Sequence, residues 1–372
     1  MEYPNVTVIG NSSSKNELEI VIVHEVGHNW FYGILGSNER VHGWMDEGIN
    51  TLNEVRYIQT KYPGNTRLSD MVLNGRFHMN DLNYHDLGDL MYGFINKMGY
   101  DQPIETHSKE FSPANYGIVM YQKTGLVFHY LKDYLGDKEF DRIMHTYFDQ
   151  WKFKHPQPED LRALFEKETG KDLSWFFTDL IQTTKHVDYK IQTVNESTDD
   201  HGLKVKVKNV GQVDGPIEIN VFDREGKMVE SRWIEPGERE TTLETDQNSI
   251  SKVIIDDGKD IPELSRQNNT WRSKALFHKW EPLKLEFFIG DHESDRTNVF
   301  WTPSIAGNAY DKLMLGIAFH NFGAPPNGFQ YLIAPHYSFG GKRISGISEM
   351  SYTLLPKTSA KMIKMGTSIK SF

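Results

Sequence analysis

The stretch VHEVGHNW, residues 23–30, holds two histidines and a glutamate at spacings that could do chemistry. His24 and His28 are four residues apart, so on a helix they share one face, one turn above the other. Two imidazoles so placed can bind one metal ion. Glu25 lies about 100° further round the helix, from 3.6 residues per turn. It is off-axis as a third ligand but well placed to take a proton from a water on the metal. A hydrolytic zinc centre needs three protein donors and an open fourth position. The chain contains no cysteine. Thiolate zinc sites and disulfide frameworks are thereby excluded, and the third donor must be His, Asp or Glu. Glu47, in WMDEG, is that candidate, with eighteen residues between it and His28. Seven residues on, Glu54 shares its helical face. It is the candidate to accept the outer N–H of a ligating imidazole, ahead of Asp46. One zinc ion, held by His24, His28 and Glu47, is the expected cofactor. The alternative reading is an ordinary amphipathic turn that happens to contain histidines, and Glu47 on the following helix weighs against it.

The elements that must position these residues are mostly helical up to about residue 188. Ser14 followed by Glu17 is a capping-box spacing and predicts a helix start ahead of the apolar run that carries His24. WMDEGINTLNEVRYIQTKY predicts the next helix. Residues 62–112 are mixed in composition and read as loops with short helices. YGIVMYQKTGLVFHYLKDYLG predicts a strong helix stopped at Gly136, and three further helical segments follow. His42, His78, His85 and His107 read as surface or loop residues, and no spacing among them points to a second metal.

From Asp188 the pattern changes to alternation punctuated by turns. The expected organisation is multidomain: a mainly α-helical domain over 1–188, a small β-sandwich over 189–257, a linker over 258–282, and antiparallel strands over 283–372. In LMLGIAFHNF, Leu313, Leu315, Ile317 and Phe319 share one strand face. With FQYLIAPHYSF and ISGISEMSYTLL they form a meander that suits one sheet of a barrel but cannot close one. The net charge of −10 and the lack of a basic stripe argue against a nucleic-acid partner. No apolar run is long enough for a membrane-spanning helix. MEYPNVTVIG has neither the basic nor the apolar region of a signal peptide.

HEVGHNWF, eighteen residues, then WMDEG resembles the gluzincin metallopeptidases, and within them the M1 aminopeptidase family. The resemblance covers roughly residues 1–190. It extends to MEYPN, where Met1 and Glu2 match the Met-Glu of that family's exopeptidase motif and Tyr3 replaces its Asn. It also extends to MYQKTG, which is similar to the family's Tyr-x-Lys-Gly and has Thr124 at the glycine. The meander is faintly similar to the start of an outer-membrane barrel.

The resemblance implies a thermolysin-like (gluzincin) catalytic domain and a zinc aminopeptidase acting on peptides with a free N-terminus. It implies that Tyr121 stabilises the oxyanion, that Tyr116 lies at the pocket, and that Glu2 pairs with the substrate's α-ammonium. Bacterial members carrying C-terminal β domains imply a cell-envelope location, periplasmic or outer-membrane associated, with a cytoplasmic one as the alternative. The same family has a β-rich domain ahead of the exopeptidase motif, so a longer envelope protein is expected. Two other readings stand beside this one: an endopeptidase or glycyl-aminopeptidase-like gluzincin, and a non-catalytic envelope scaffold. An intact Glu25 speaks against the scaffold, which needs no general base beside a metal.

Overall fold

A computed structural model describes residues 2–3, 6–12, 14–63, 83–84, 86–196, 202–245, 249–273, 281–288, 296–323, 325–356, 360 and 362–371. The chain divides into two compact units, residues 1–93 with 101–279, and residues 94–100 with 280–372. Helix and strand each account for 34% of the structure. The fold is therefore multidomain with helices and several sheets, and mainly helical describes only the part before residue 188.

In the first unit a short antiparallel pair, β1 (Glu2–Tyr3) and β2 (Val6–Thr7), precedes helix α1 (Lys15–Gly27). Ser14 caps α1 by accepting from the Glu17 N–H at 3.4 Å. The reciprocal half of the box does not form, because the Ser14 N–H donates to Ser12 Oγ at 3.2 Å and the Glu17 carboxylate bonds Ser12 instead. A single 3-10 turn, Gly43–Met45, leads into α2 (Glu47–Lys61). Helix α2 is buried on most sides, with Ile49, Leu52 and Ile58 fully enclosed. Helix α3 spans Asp86–Lys97. His78 and His85 lie outside the described residues.

The strong helix predicted over YGIVMYQKTGLVFHYLKDYLG is α4, residues 113–135, and it is not uniform. An α-helical Pro113–Gly117 gives way to a π-helical Ile118–Lys123 and then to an α-helical Thr124–Leu135. A π-turn inserts an extra residue into the i→i−4 ladder and re-aims the side chains on it, a feature found often at functional sites. Gly136 then stops the helix at φ 80°, a conformation that favours glycine. Helices α5 (Asp137–Trp151) and α6 (Pro158–Thr169) follow, and Gly170 closes α6 in the left-handed region. A second π-helical segment spans Trp175–Ile181.

Aromatic packing ties these helices together. The Trp44 and Phe128 rings lie 5.8 Å apart, and those of Phe128 and Phe176 5.0 Å apart. Burying each such side chain is worth about 2–3 kcal/mol. Lys123 is also enclosed, its Nζ 2.8 and 2.9 Å from the two oxygens of Asp101. Removing Asp101 would strand a buried cation, at a cost of about 3–5 kcal/mol.

The sandwich holds a three-stranded sheet of order β3-β4-β7 and a four-stranded sheet of order β6-β5-β8-β9. The strands are β3 (Tyr189–Glu196), β4 (Leu203–Asn209), β5 (Ile217–Asp223), β6 (Met228–Ile234), β7 (Glu240–Leu243), β8 (Ile250–Ile255) and β9 (Thr270–Arg272). Along β4, Leu203, Val205 and Val207 face inward and the lysines between them outward, the alternation of a half-buried strand. Strand β9 comes from the stretch expected as a linker and pairs with β8. The buried Arg266 joins sandwich to helices: it bonds Asp89 on α3 at 3.0 Å and also Asp256.

The second unit contains a six-stranded sheet of order β10-β11-β12-β13-β14-β15. Its strands are β10 (Leu283–Phe287), β11 (Thr297–Asn308), β12 (Lys312–His320), β13 (Phe329–Ser338), β14 (Arg343–Leu354) and β15 (Ile363–Ser371). Neighbours from β11 to β15 are antiparallel, whereas β10 lies parallel to β11. Leu313, Leu315, Ile317 and Phe319 do share one face, opposite Gly307, Ile305, Pro303 and Trp301 on β11.

Candidate active site

Helix α1 presents His24 and His28 to α2, and two close approaches set the geometry. A Cβ on Gly27 would sit 1.9 Å from Asn50 Oδ1, so only glycine leaves room for the Asn50 amide here. Asn50 uses the space to donate to the His24 carbonyl at 2.6 Å. A Cβ on Gly48 would lie 2.1 Å from Thr124 Cγ2, which brings α4 against α2 beside Glu47.

His24 Nε2 lies 3.0 Å from Glu47 Oε2, and His28 Nε2 lies 3.2 Å from the same oxygen. The two Nε2 atoms are 3.2 Å apart. Their outer partners settle the tautomers. His24 Nδ1 is 3.0 Å from Glu54 Oε2, and His28 Nδ1 is 3.2 Å from the Phe31 carbonyl. Both partners can only accept, so each Nδ1 carries the proton and each Nε2 turns a lone pair inward. Two lone pairs and a carboxylate oxygen converging at this range repel unless a positive charge lies among them. Without a metal that charge is a second proton on an imidazole, whose Nε2–H then donates to Glu47. Burial pulls the His24 imidazole down, but the Glu47 and Glu54 carboxylates outweigh it and hold it up at about 10. Burial pushes Glu47 up, but hydrogen bonds from His24 and His28 outweigh that and hold it down at about 2. Two neutral imidazoles and one carboxylate are a donor set that suits zinc.

The other sequence candidates are placed as follows. Glu25 is half-buried on α1, next to His24. The Tyr121 hydroxyl, carried on the π-turn of α4, donates to Glu47 Oε1. Burial and the Glu47 carboxylate push that phenol well above its ordinary range. Its ring stacks 5.6 Å from that of His24. Tyr116 is exposed, with its ring 6.2 Å from that of Tyr121. Asp46 is buried at the start of α2, and Glu54, not Asp46, meets the imidazole. Glu2 lies in β1, and its side chain falls outside the described residues.

Sequence reasoning missed several participants. The Tyr84 hydroxyl donates to Glu54 Oε1 and so anchors the carboxylate that holds His24. Tyr84 stands in an irregular stretch with no periodicity to mark it. Asn50 shares the helical repeat of Glu47 and Glu54 and could have been found from it. His42, read as a surface residue, is half-buried and pairs with Glu105, which also accepts from the Trp44 indole. This pairing fixes the turn that delivers α2.

A second group of potential donors, His129, Asp133 and Asp260, lies between α4 and the sandwich. Lys132 Nζ sits 2.6 Å from Asp133 Oδ1, so the positive charge there is already supplied by the chain. A cavity of about 760 Å³ is lined by Ile22, Val26, Trp30, Leu52, Phe140 and Phe148 among others. None of His24, His28, Glu47 or Tyr121 lines it, but Gly27, Asn50 and Glu54, which support the donors, do.

Residues 5–180 match the Peptidase family M1 domain. Aminopeptidase M1-B of Oryza sativa subsp. japonica is 23% identical over 206 residues, 54% of this chain and 21% of the relative. Aminopeptidase N of Lactococcus lactis subsp. lactis is 19% identical over 180 residues, 45% of this chain and 18% of the relative. The chain thus spans about a fifth of the length of these curated relatives. The crystal structure of Legionella pneumophila aminopeptidase A in complex with aspartic acid is similar over 66% of this chain and 26% of that chain, with a TM-score of 0.48 and 16% identity. The matched span contains His24, Glu25, His28, Glu47 and Tyr121. Residues 5–180, just under half of the chain, are thus similar to the Peptidase family M1 domain.

Proposed function

We propose that this chain carries the catalytic centre of a zinc aminopeptidase. The observation that supports it most is the inward convergence of His24 Nε2, His28 Nε2 and Glu47 Oε2 beside the Tyr121 hydroxyl, within the M1-matched span. His24, His28 and Glu47 would hold one Zn²⁺, which supplies Lewis acidity to the scissile carbonyl and acidity to a water.

The chain's own groups do the rest. Glu25 takes the proton of the attacking water and later delivers it to the leaving amine. Tyr121 donates its hydroxyl hydrogen to the oxyanion of the tetrahedral intermediate. Its raised pKa keeps that hydrogen in place at neutral pH. Glu54 holds His24 in the tautomer that leaves Nε2 free to ligate. Glu2 pairs with the substrate's α-ammonium, and Tyr116 lines the approach. A carboxylate left without its ammonium partner disfavours blocked peptides, which makes the enzyme an exopeptidase. A bacterial cell-envelope location belongs to the same reading.

The test measures zinc content together with hydrolysis of aminoacyl anilides, for wild type and Glu25→Gln. Equal hydrolysis by both at full zinc occupancy would leave a scaffold rather than an enzyme. Equal rates on free and N-acetylated peptides would remove the Glu2 assignment and favour an endopeptidase.

A further inference from the structure

The six-stranded sheet of the second unit wears its apolar side chains on the outside. Register and alternation assign each strand residue to one of two faces. One face carries Leu283, Leu285 and Phe287 of β10, then Trp301, Pro303 and Ile305 of β11, then Leu313, Leu315, Ile317 and Phe319 of β12. It continues through Phe329, Tyr331, Ile333, Pro335 and Tyr337 of β13 to Ile344, Met350 and Tyr352 of β14 and Ile363, Met365 and Ile369 of β15. No Asp, Glu, Lys, Arg or His stands on this face within the paired strands.

The other face is mixed: Phe300, Met314, Ala318, Leu332, Ala334 and Ile347 stand on it among polar and charged groups. It carries Lys284, Glu286, Asn298, Ser304, His336, Ser338, Arg343, Ser345, Glu349 and Lys370. Several of these satisfy one another: Ser304 Oγ lies 2.8 Å from His336 Nε2, and Lys284 Nζ lies 2.8 Å from Glu286.

Burial runs opposite to a water-soluble sheet. His336, Ser338 and Ser345 are buried beside Phe300, Met314, Ala318 and Ala334, while on the uncharged face Ile305 is 76% and Ile344 75% exposed. Soluble antiparallel sheets put the apolar face on the core and the polar face in water. Six strands at about 4.8 Å spacing and roughly 30 Å length make a face of about 700 Å². That exceeds the few hundred Å² of contiguous apolar surface that soluble monomers usually expose.

We propose that this face takes the acyl chains of a lipid bilayer. Three features favour lipid over a second protein surface. The face has no charged side chain within its paired strands, and its polar atoms are those of Trp301, three tyrosines and a few Ser and Thr hydroxyls, whereas a protein interface carries a charged and polar rim. Aromatic side chains gather at its two ends. Trp301 pairs with Phe319 and Phe329 with Tyr352 toward one end, and Tyr337 and Phe339 pack at 5.3 Å at the other. Ile305, Leu315, Ile317 and Ile333 lie between them, the arrangement of an apolar band between interfacial aromatic girdles. Strands of 12, 9, 10, 12 and 9 residues, from β11 to β15, all reach the 9 or more residues that a tilted strand needs to cross a hydrocarbon core.

The chain has no cysteine, so single-cysteine variants of the full chain report one position each. Leu315→Cys and Ile333→Cys probe the apolar face, and Glu349→Cys probes the mixed one. Each is labelled with an environment-sensitive fluorophore and mixed with phosphatidylethanolamine–phosphatidylglycerol vesicles, with and without acyl-chain spin labels. Expected are a blue shift and several-fold quenching at 315 and 333, with neither at 349. Ile317→Arg should lower the vesicle-bound fraction at least tenfold, the scale of a charge at bilayer depth, and Glu349→Arg should not. Equal responses on both faces would overturn the proposal. So would the absence of any lipid response, or probes at 315 and 333 that are shielded without lipid in a dimer seen by light scattering.

Discussion

Gly48→Ala tests whether the approach of α4 to α2 positions Glu47. The added Cβ would meet Thr124 Cγ2 at 2.1 Å, Thr124 Cβ at 2.4 Å and the Met120 carbonyl oxygen at 3.0 Å. Thr124 is fully buried and its Oγ1 is committed to the Val119 carbonyl at 2.9 Å, so it cannot swing aside. Restoring ordinary contact near 3.5–4 Å requires the helices to part by roughly 1.5 Å. Overpacking of this kind costs about 1–3 kcal/mol, and the better helix propensity of Ala returns about 1 kcal/mol. The net loss of stability is therefore small, about 0–2 kcal/mol. The effect on the site is larger. Glu47 precedes Gly48, and ligand distances in zinc sites tolerate only about ±0.2 Å. Zinc affinity should fall by about 10–100-fold, the scale seen when a ligand's support is removed.

The decisive comparison is a double-mutant cycle with Thr124→Gly. That change alone removes a buried methyl, a hydrogen bond and helix propensity, about 2–3 kcal/mol together. In the double variant the new methyl occupies the vacated space, and only the Met120 carbonyl contact at 3.0 Å remains. Urea denaturation should show the double variant at least about 1 kcal/mol more stable than the sum of the singles. Its zinc affinity, read by chelator competition, should recover towards wild type. Additivity within about 0.5 kcal/mol, with unchanged zinc affinity throughout, would refute the claim that this contact sets the geometry of Glu47.

Other consequences can be measured directly. Glu25→Gln should keep its zinc, by elemental analysis, while hydrolysis falls at least about 10²–10⁴-fold. Tyr84→Phe releases one oxygen of Glu54 and should weaken zinc binding by about 10-fold in chelator competition, with little loss of fold by circular dichroism. Glu263 gives a pH signature. Burial pushes its carboxyl up to about 8, with Arg266 and Asn269 opposing. The folded state therefore holds the proton more tightly than the unfolded one. The contribution is fully present below about pH 4.5, and stability declines as pH rises through about 8, at up to about 1.4 kcal/mol per pH unit. Urea titrations across this range should lose that slope in Glu263→Gln; an unchanged slope would assign it to another group.

The donor cluster was legible because its members obey one geometric rule. His24 and His28 are one turn apart, and Glu47 and Glu54 are two turns apart on a second helix. Both separations can be read without knowing how the helices cross. What permits the crossing was not legible. Gly27 and Gly48 act by lacking a side chain, and a missing atom leaves no periodicity in a sequence. The π-turn carrying Tyr121 was hidden for a related reason. One extra residue in a helical ladder shifts every following side chain round the axis, yet the apolar pattern of α4 survives on both sides of it. The strand faces show the converse. Alternation along β12 was plain because Leu313 to Phe319 repeats without interruption. On β15 it is diluted by Gly366 and Thr367, and only its pairing with β14 shows that Ile363, Met365 and Ile369 extend the same surface. A face that spans six strands is a property of register, and register is decided between segments rather than within any one of them.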